Sequence, residues 1–159
     1  VDTVKEHIIK YKELSLENIS KDEKELIQHA INSASKAYAP YSNFKVGAAV
    51  RLQNGIIIEG NNQENAAYPS GLCAERVALF FANANFPDLP VTEIAITVLD
   101  QLGNVSKDVI TPCGSCRQVI AETEFRFGNN IKIILASKDK VLIFTSIKDL
   151  LPFHFVLKK

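Results

Sequence analysis

All three cysteines of the chain fall in two short stretches: GLCAER at residues 71–76 and TPCGSCR at residues 111–117. Cys113 and Cys116 stand three apart at the expected start of a helix, so both side chains can turn toward one point. Two ligands from one such turn, with a third from elsewhere, is a zinc arrangement. Cys73 opens another expected helix. All three thiols then lie at helix N-termini, where the dipole and the free N–H groups favour thiolate over thiol. A structural zinc takes four protein ligands, and the chain has no fourth cysteine; His7, His29 and His154 lie outside both stretches. Three ligands leave a fourth position for water, as in catalytic zinc. The plain alternative is that these are small core residues, since free Cys is often buried. Cys73 alone fits either description. Cys113 and Cys116, flanked by Pro112 and Gly114, favour the metal.

Glu75 lies two residues past Cys73, so on a helix it points away from that ligand's direction. It could stand beside a metal without binding it, take a proton from an activated water and pass it on. As a first-turn glutamate it could equally do no more than complement the helix dipole.

The elements that must carry these residues read as an alternation of strands and helices. Ser20–Glu23, SKDE, has the capping-box pattern, and Leu26, Ile27, Ala30, Ile31 and Ala34 then recur at helical spacing up to Pro40. KVGAAVRL and IIIEG flank Asn54-Gly55, a favoured hairpin turn. A polar loop, NNQENAAYPSGL, leads to the helix at Cys73, which carries Val77, Ala78, Phe80, Phe81 and Ala82. VTEIAITVL is a buried strand, and a third helix starts near Pro112, with proline suited to a first helical turn. IKIILA and VLIFTS are two more strands, and a short helix at residues 147–151 stops at Pro152. This order predicts one α/β domain with helices on both faces of a mixed five-stranded sheet. Residues 7–12 are a candidate extra edge strand.

Composition excludes more than it assigns. The 159 residues suffice for one domain with a core, 47% are hydrophobic, and the net charge is zero. No global basic field argues for nucleic acid or an anionic membrane. The apolar runs are too short to span a bilayer, and the charged start, VDTVKEHIIKYKEL, lacks a signal-peptide core. An odd number of cysteines with no sign of secretion points to reduced thiols in the cytoplasm.

The segments YAPYSNFKVGAAV, NQENAAYPSGLCAER, TPCGSCRQV and LLPFHF, in this order, resemble the zinc-dependent nucleoside deaminases, specifically the small cytidine deaminases with three cysteine ligands. The resemblance runs over residues 38–155. It implies a three-layer α/β/α catalytic unit at residues 21–159, preceded by an extension at residues 1–20 of unknown role. It implies one Zn²⁺ per chain on Cys73, Cys113 and Cys116, with Glu75 as proton carrier in the hydrolysis of cytidine or 2′-deoxycytidine to the uridine and ammonia. Asn62 and Glu64 match ribose-holding positions, Phe44 a residue that packs on the nucleoside, and Ala74 one whose backbone meets the pyrimidine carbonyl. Ala66, Tyr68 and Phe155 match positions that approach a neighbouring subunit's ligand, which implies a homotetramer. Three thiolates on Zn²⁺ leave a net charge of −1, and the resemblance places Arg76 against the ligand sulfurs as compensation. Arg117 is a second candidate, or a surface charge.

Without the resemblance, Asn62 and Glu64 would be loop-solvating residues and Phe44 an ordinary core aromatic. Three rivals remain. A blasticidin-S-type deaminase shares the zinc motifs and the LLP tail, but NQEN favours free nucleosides. A nucleic-acid deaminase conflicts with the neutral charge and the lack of a basic stripe. A zinc-stabilised binding module leaves Glu75 and the open fourth position unexplained.

Overall fold

The computed structural model describes residues 1–157, so the last two residues of the expected catalytic unit lie outside the described residues. The order along the chain is β1 (Lys12–Leu14), α1 (Lys21–Ala34), β2 (Lys45–Leu52), β3 (Ile57–Asn61), α2 (Ala74–Asn85), β4 (Val91–Leu99), α3 (Gly114–Phe127), β5 (Lys132–Ala136) and β6 (Val141–Phe144). The strands form one sheet in the order β1-β6-β5-β4-β2-β3. Among the described residues only strands β4 and β5 run parallel, with α3 as their crossover; every other strand pair is antiparallel. The sheet is therefore mixed, as expected, but it has six strands rather than five. The sixth is the edge strand anticipated at residues 7–12, displaced to Lys12–Leu14. It pairs with β6 over three positions, and Tyr11 stacks on Phe144 just before it.

Two apolar layers flank the sheet. On one face α1 buries Leu26, Ile27 and Ala30 against Ala49, Ala95, Ile134 and Ile143. Its start is the predicted capping box: Ser20 Oγ accepts from Glu23 N at 3.2 Å, and Glu23 Oε2 accepts from Ser20 N at 2.8 Å. On the other face α2 and α3 cover Val50, Ile94, Ile96, Ile133 and Leu135. Fully burying each such side chain is worth roughly 1.5–3 kcal/mol, enough to fix which face each helix turns inward.

Two glycines set the distance between layers. A Cβ on Gly47 in β2 would lie 1.9 Å from Ala30 O of α1, and one on Gly60 in β3 would lie 2.5 Å from both Ala74 O and Ala78 N of α2. Only a residue without a side chain lets the first turn of α2 lie directly on β3. The expected helix at residues 147–151 is a single 3-10 turn at Ile147–Asp149. Among the described residues no helix is long and apolar enough to cross a membrane.

Candidate metal centre and nucleoside pocket

The two helices that carry the cysteines begin at the same place in space. Cys73 is the N-cap of α2 and Cys113 the N-cap of α3, both with extended backbone (φ −70°, ψ 153° and φ −67°, ψ 168°). Neither side chain caps its own helix, so both sulfurs are free to turn toward a shared point. Cys116 sits one turn into α3 and is buried. Pro112 lies one residue before the cap, not in the first helical turn as expected. The cap position is taken by the cysteine, and the proline, itself buried, shapes the approach.

All three Sγ atoms lie within 4.8 Å of one another, and Cys73 Sγ is 3.8 Å from Cys113 Sγ. Tetrahedral coordination with Zn–S of about 2.3 Å places ligand sulfurs about 3.8 Å apart, so the spacing suits zinc. The donor set is soft and closely grouped, and it forms one zinc site per chain. The plain alternative of small core residues fails on Cys113, which is exposed.

The electrostatics are those of an anion-holding corner. The Cys73 thiol is lowered to about 5, chiefly by its hydrogen bond with Cys116 and then by Arg76, while burial opposes the shift. Cys116 is pushed up by the same hydrogen bond and by burial. Arg76 Nη2 donates to Cys73 Sγ at 3.6 Å, which puts the guanidinium where thiolate charge must be offset. Glu75, 5% exposed, lines the same cavity. Burial holds its carboxyl above the usual range, with the charge of Cys73 adding to the shift and Cys116 and Arg76 opposing it. Arg117 turns away from the sulfurs. Its Nε donates to Pro112 O at 2.8 Å, Nη1 to Leu150 O at 2.8 Å and Nη2 to Thr111 Oγ1 at 3.3 Å.

The cavity that opens onto these groups measures about 600 Å³. Phe44, Asn62, Glu64 and Tyr68 form its other end. Asn62 Oδ1 accepts from Val46 N at 2.8 Å and its Nδ2 donates to Phe44 O at 2.8 Å. Glu64 accepts from Tyr41 N at 2.8 Å, from Ser42 N at 3.3 Å and from Ser42 Oγ. These bonds hold its carboxylate below the usual range, that from the Ser42 hydroxyl most of all. Both side chains thus shape the turn that presents Phe44, in which Asn43 takes a left-handed φ of 53°. One amide hydrogen and one lone pair of Asn62 stay free for a further partner.

Ala74 is fully buried at the start of α2. Ala66 and Phe155 lie outside the cavity wall, and Tyr68 is 80% exposed on its rim. Four contributors were assigned no role from the sequence. Ser42 braces Glu64 from within YAPYSNF, a segment of the resemblance that gave it no role of its own. Gln63 pairs with Leu72 through N–O distances of 2.9 and 3.0 Å, which ties the loop after β3 to the approach to Cys73. Ile110 and Thr111 close the cavity beside Cys113.

Residues 20–127 match the cytidine and deoxycytidylate deaminase zinc-binding region. A cytidine deaminase of Halalkalibacterium halodurans is 44% identical over 101 residues, which are 64% of this chain and 71% of that one. The crystal structure of cytidine deaminase from Burkholderia pseudomallei is 40% identical with a TM-score of 0.70, covering 83% of this chain and 98% of that chain. That from Mycobacterium tuberculosis is 31% identical with a TM-score of 0.65, covering 87% and 100%. With the thiol cluster, the buried glutamate and the α/β/α layers in place, the chain belongs to the zinc-dependent cytidine and deoxycytidylate deaminase family.

Proposed function

We propose that this protein deaminates cytidine and 2′-deoxycytidine hydrolytically, and that each chain works within a homotetramer. The observation that carries the reaction is the buried Glu75 lining one cavity with Cys73 and Cys113, while Asn62 and Glu64 line its other end. When bound to Cys73, Cys113 and Cys116, zinc supplies the Lewis acid that makes water nucleophilic at neutral pH.

The chain's own residues do the rest. Glu75 takes the proton released by the attacking water and hands it to N3 of the cytosine ring. It then takes the proton of the hydroxyl group now on C4 and carries it to the amino group, so that the C4 carbonyl forms as the C4–N bond breaks and ammonia leaves. A carboxyl raised by burial suits both roles, since it must accept and release a proton near neutral pH. The Ala74 backbone meets the pyrimidine carbonyl. Asn62 and Glu64 hold the sugar hydroxyls with the capacity their own loop leaves them, and Phe44 packs on the nucleoside. Arg76 offsets the excess negative charge of three thiolates. Ala66, Tyr68 and Phe155 approach the site of a neighbouring copy. Supporting the assembly, Phe80, Phe81, Phe125 and Phe155 are all exposed on the single chain.

Turnover of cytidine, deoxycytidine, CMP and blasticidin S, with zinc measured on the same sample, tests this reading. The two nucleosides are expected to react efficiently. CMP is expected to react poorly, because among the described residues no arginine or lysine other than Arg76 lines the cavity to pair with a 5′-phosphate. Efficient turnover of CMP or blasticidin S over cytidine would assign a different substrate.

A further inference from the structure

Two consecutive residues of α3 hold the same distant segment. Arg117 donates to Leu150 O at 2.8 Å while its Nε holds Pro112 O, so one guanidinium ties the root of the C-terminal tail to the loop that ends in Cys113. Gln118 grips the tail five residues later. Its Nε2 donates to Phe155 O at 2.8 Å, and its Oε1 accepts from Phe155 N at 3.2 Å. Between the two grips, Leu150 and Leu151 pack on the core, and Pro152 and Phe153 stand in solvent.

A side-chain amide that satisfies both the N–H and the C=O of one residue fixes that backbone as a neighbouring strand would. Yet Phe155 is 68% exposed. An aromatic ring held in place but left in water suits an anchor for a second molecule. Its backbone is ordered before contact, so little freedom remains to be lost on binding.

We propose that Gln118 is a positioning residue that holds Phe155 ready for the nucleoside site of a neighbouring copy of this chain, with Arg117 fixing the root of the same tail. This rests on the reading above in which Phe155 approaches a neighbour's site. Gln118 acts on nucleoside binding only through Phe155.

The test compares Gln118→Met, Phe155→Ala and the double variant with the parent enzyme, by KM and kcat for cytidine and by zinc content. Methionine keeps the length and helix propensity of glutamine and removes both hydrogen bonds. Gln118→Met is expected to raise KM roughly 3–30-fold, the scale of one or two lost hydrogen bonds, and to affect KM more than kcat, with zinc retained. The double variant is expected to be no worse than Phe155→Ala alone, because residues acting through one contact are non-additive. A KM unchanged in Gln118→Met but raised in Phe155→Ala would overturn the clamp and leave the role of the tail standing. A KM unchanged in Phe155→Ala would overturn the role of the tail and the clamp with it. Additive losses, or zinc lost from Gln118→Met, would show that Gln118 acts through α3 and overturn the proposal.

Discussion

The two ends of the cavity are built by different means. At the thiol end the reacting groups sit on the first turns of two helices, locked by the sheet beneath them. The backbone of α2 lies so close on β3 that Gly60 leaves no room for a methyl group. At the other end the groups sit on loops, and the loops are held by the same side chains that face the cavity. Asn62 bonds Phe44 O and Val46 N, and Glu64 bonds the turn at Tyr41 and Ser42. The thiol end is thus rigid through packing, and the loop end through hydrogen bonds made by the side chains that line it. A substitution among the loop groups is expected to change local shape and nucleoside binding together.

Three substitutions would break or sharpen this contrast, the largest effect first. Cys116→Ala leaves two sulfurs from two helices, too few to hold the metal. Zinc is expected to fall well below one per chain and cytidine turnover to background; full zinc with retained activity would remove Cys116 from the site. Gly60→Ala drives a methyl group into the α2 backbone. Overpacking of this kind costs about 1–3 kcal/mol, so the denaturant midpoint should fall and kcat with it, because α2 carries Cys73 and Glu75. An unchanged midpoint would mean that α2 can move off β3 freely. Asn62→Ala removes two bonds to the backbone of residues 44–46. It is expected to lower stability by about 1–3 kcal/mol and to raise KM in the same variant. A raised KM at full stability would show that Asn62 serves the substrate alone.

The contrast also separates what could be read beforehand from what could not. The cluster of Cys73, Cys113 and Cys116 was legible because few roles need cysteines at that spacing beside helix starts. The periodicity of Leu26, Ile27 and Ala30 gave the inward face of α1 correctly for the same reason: it depends on local pattern alone. β1 was placed several residues too early, since KEL has no apolar alternation and owes its extended form to β6. The backbone bonds of Asn62 and Glu64 join residues some twenty apart, which no local pattern records. The position of Arg117 after Cys116 fitted either a second charge for the sulfurs or a surface charge; its partners lie in the Thr111–Pro112 loop and at Leu150, across the fold.

The central claim is that the buried carboxyl of Glu75 moves protons beside a zinc it does not bind. Zinc content, denaturant midpoint and kcat for cytidine, all measured on Glu75→Gln, test it most directly. Glutamine keeps the shape and cannot shuttle a proton. The expected result is one zinc per chain, a midpoint no lower than the parent's, and kcat reduced by about 10²–10⁴-fold or more. A variant that keeps kcat within a few-fold, or one that loses its zinc, would contradict the claim.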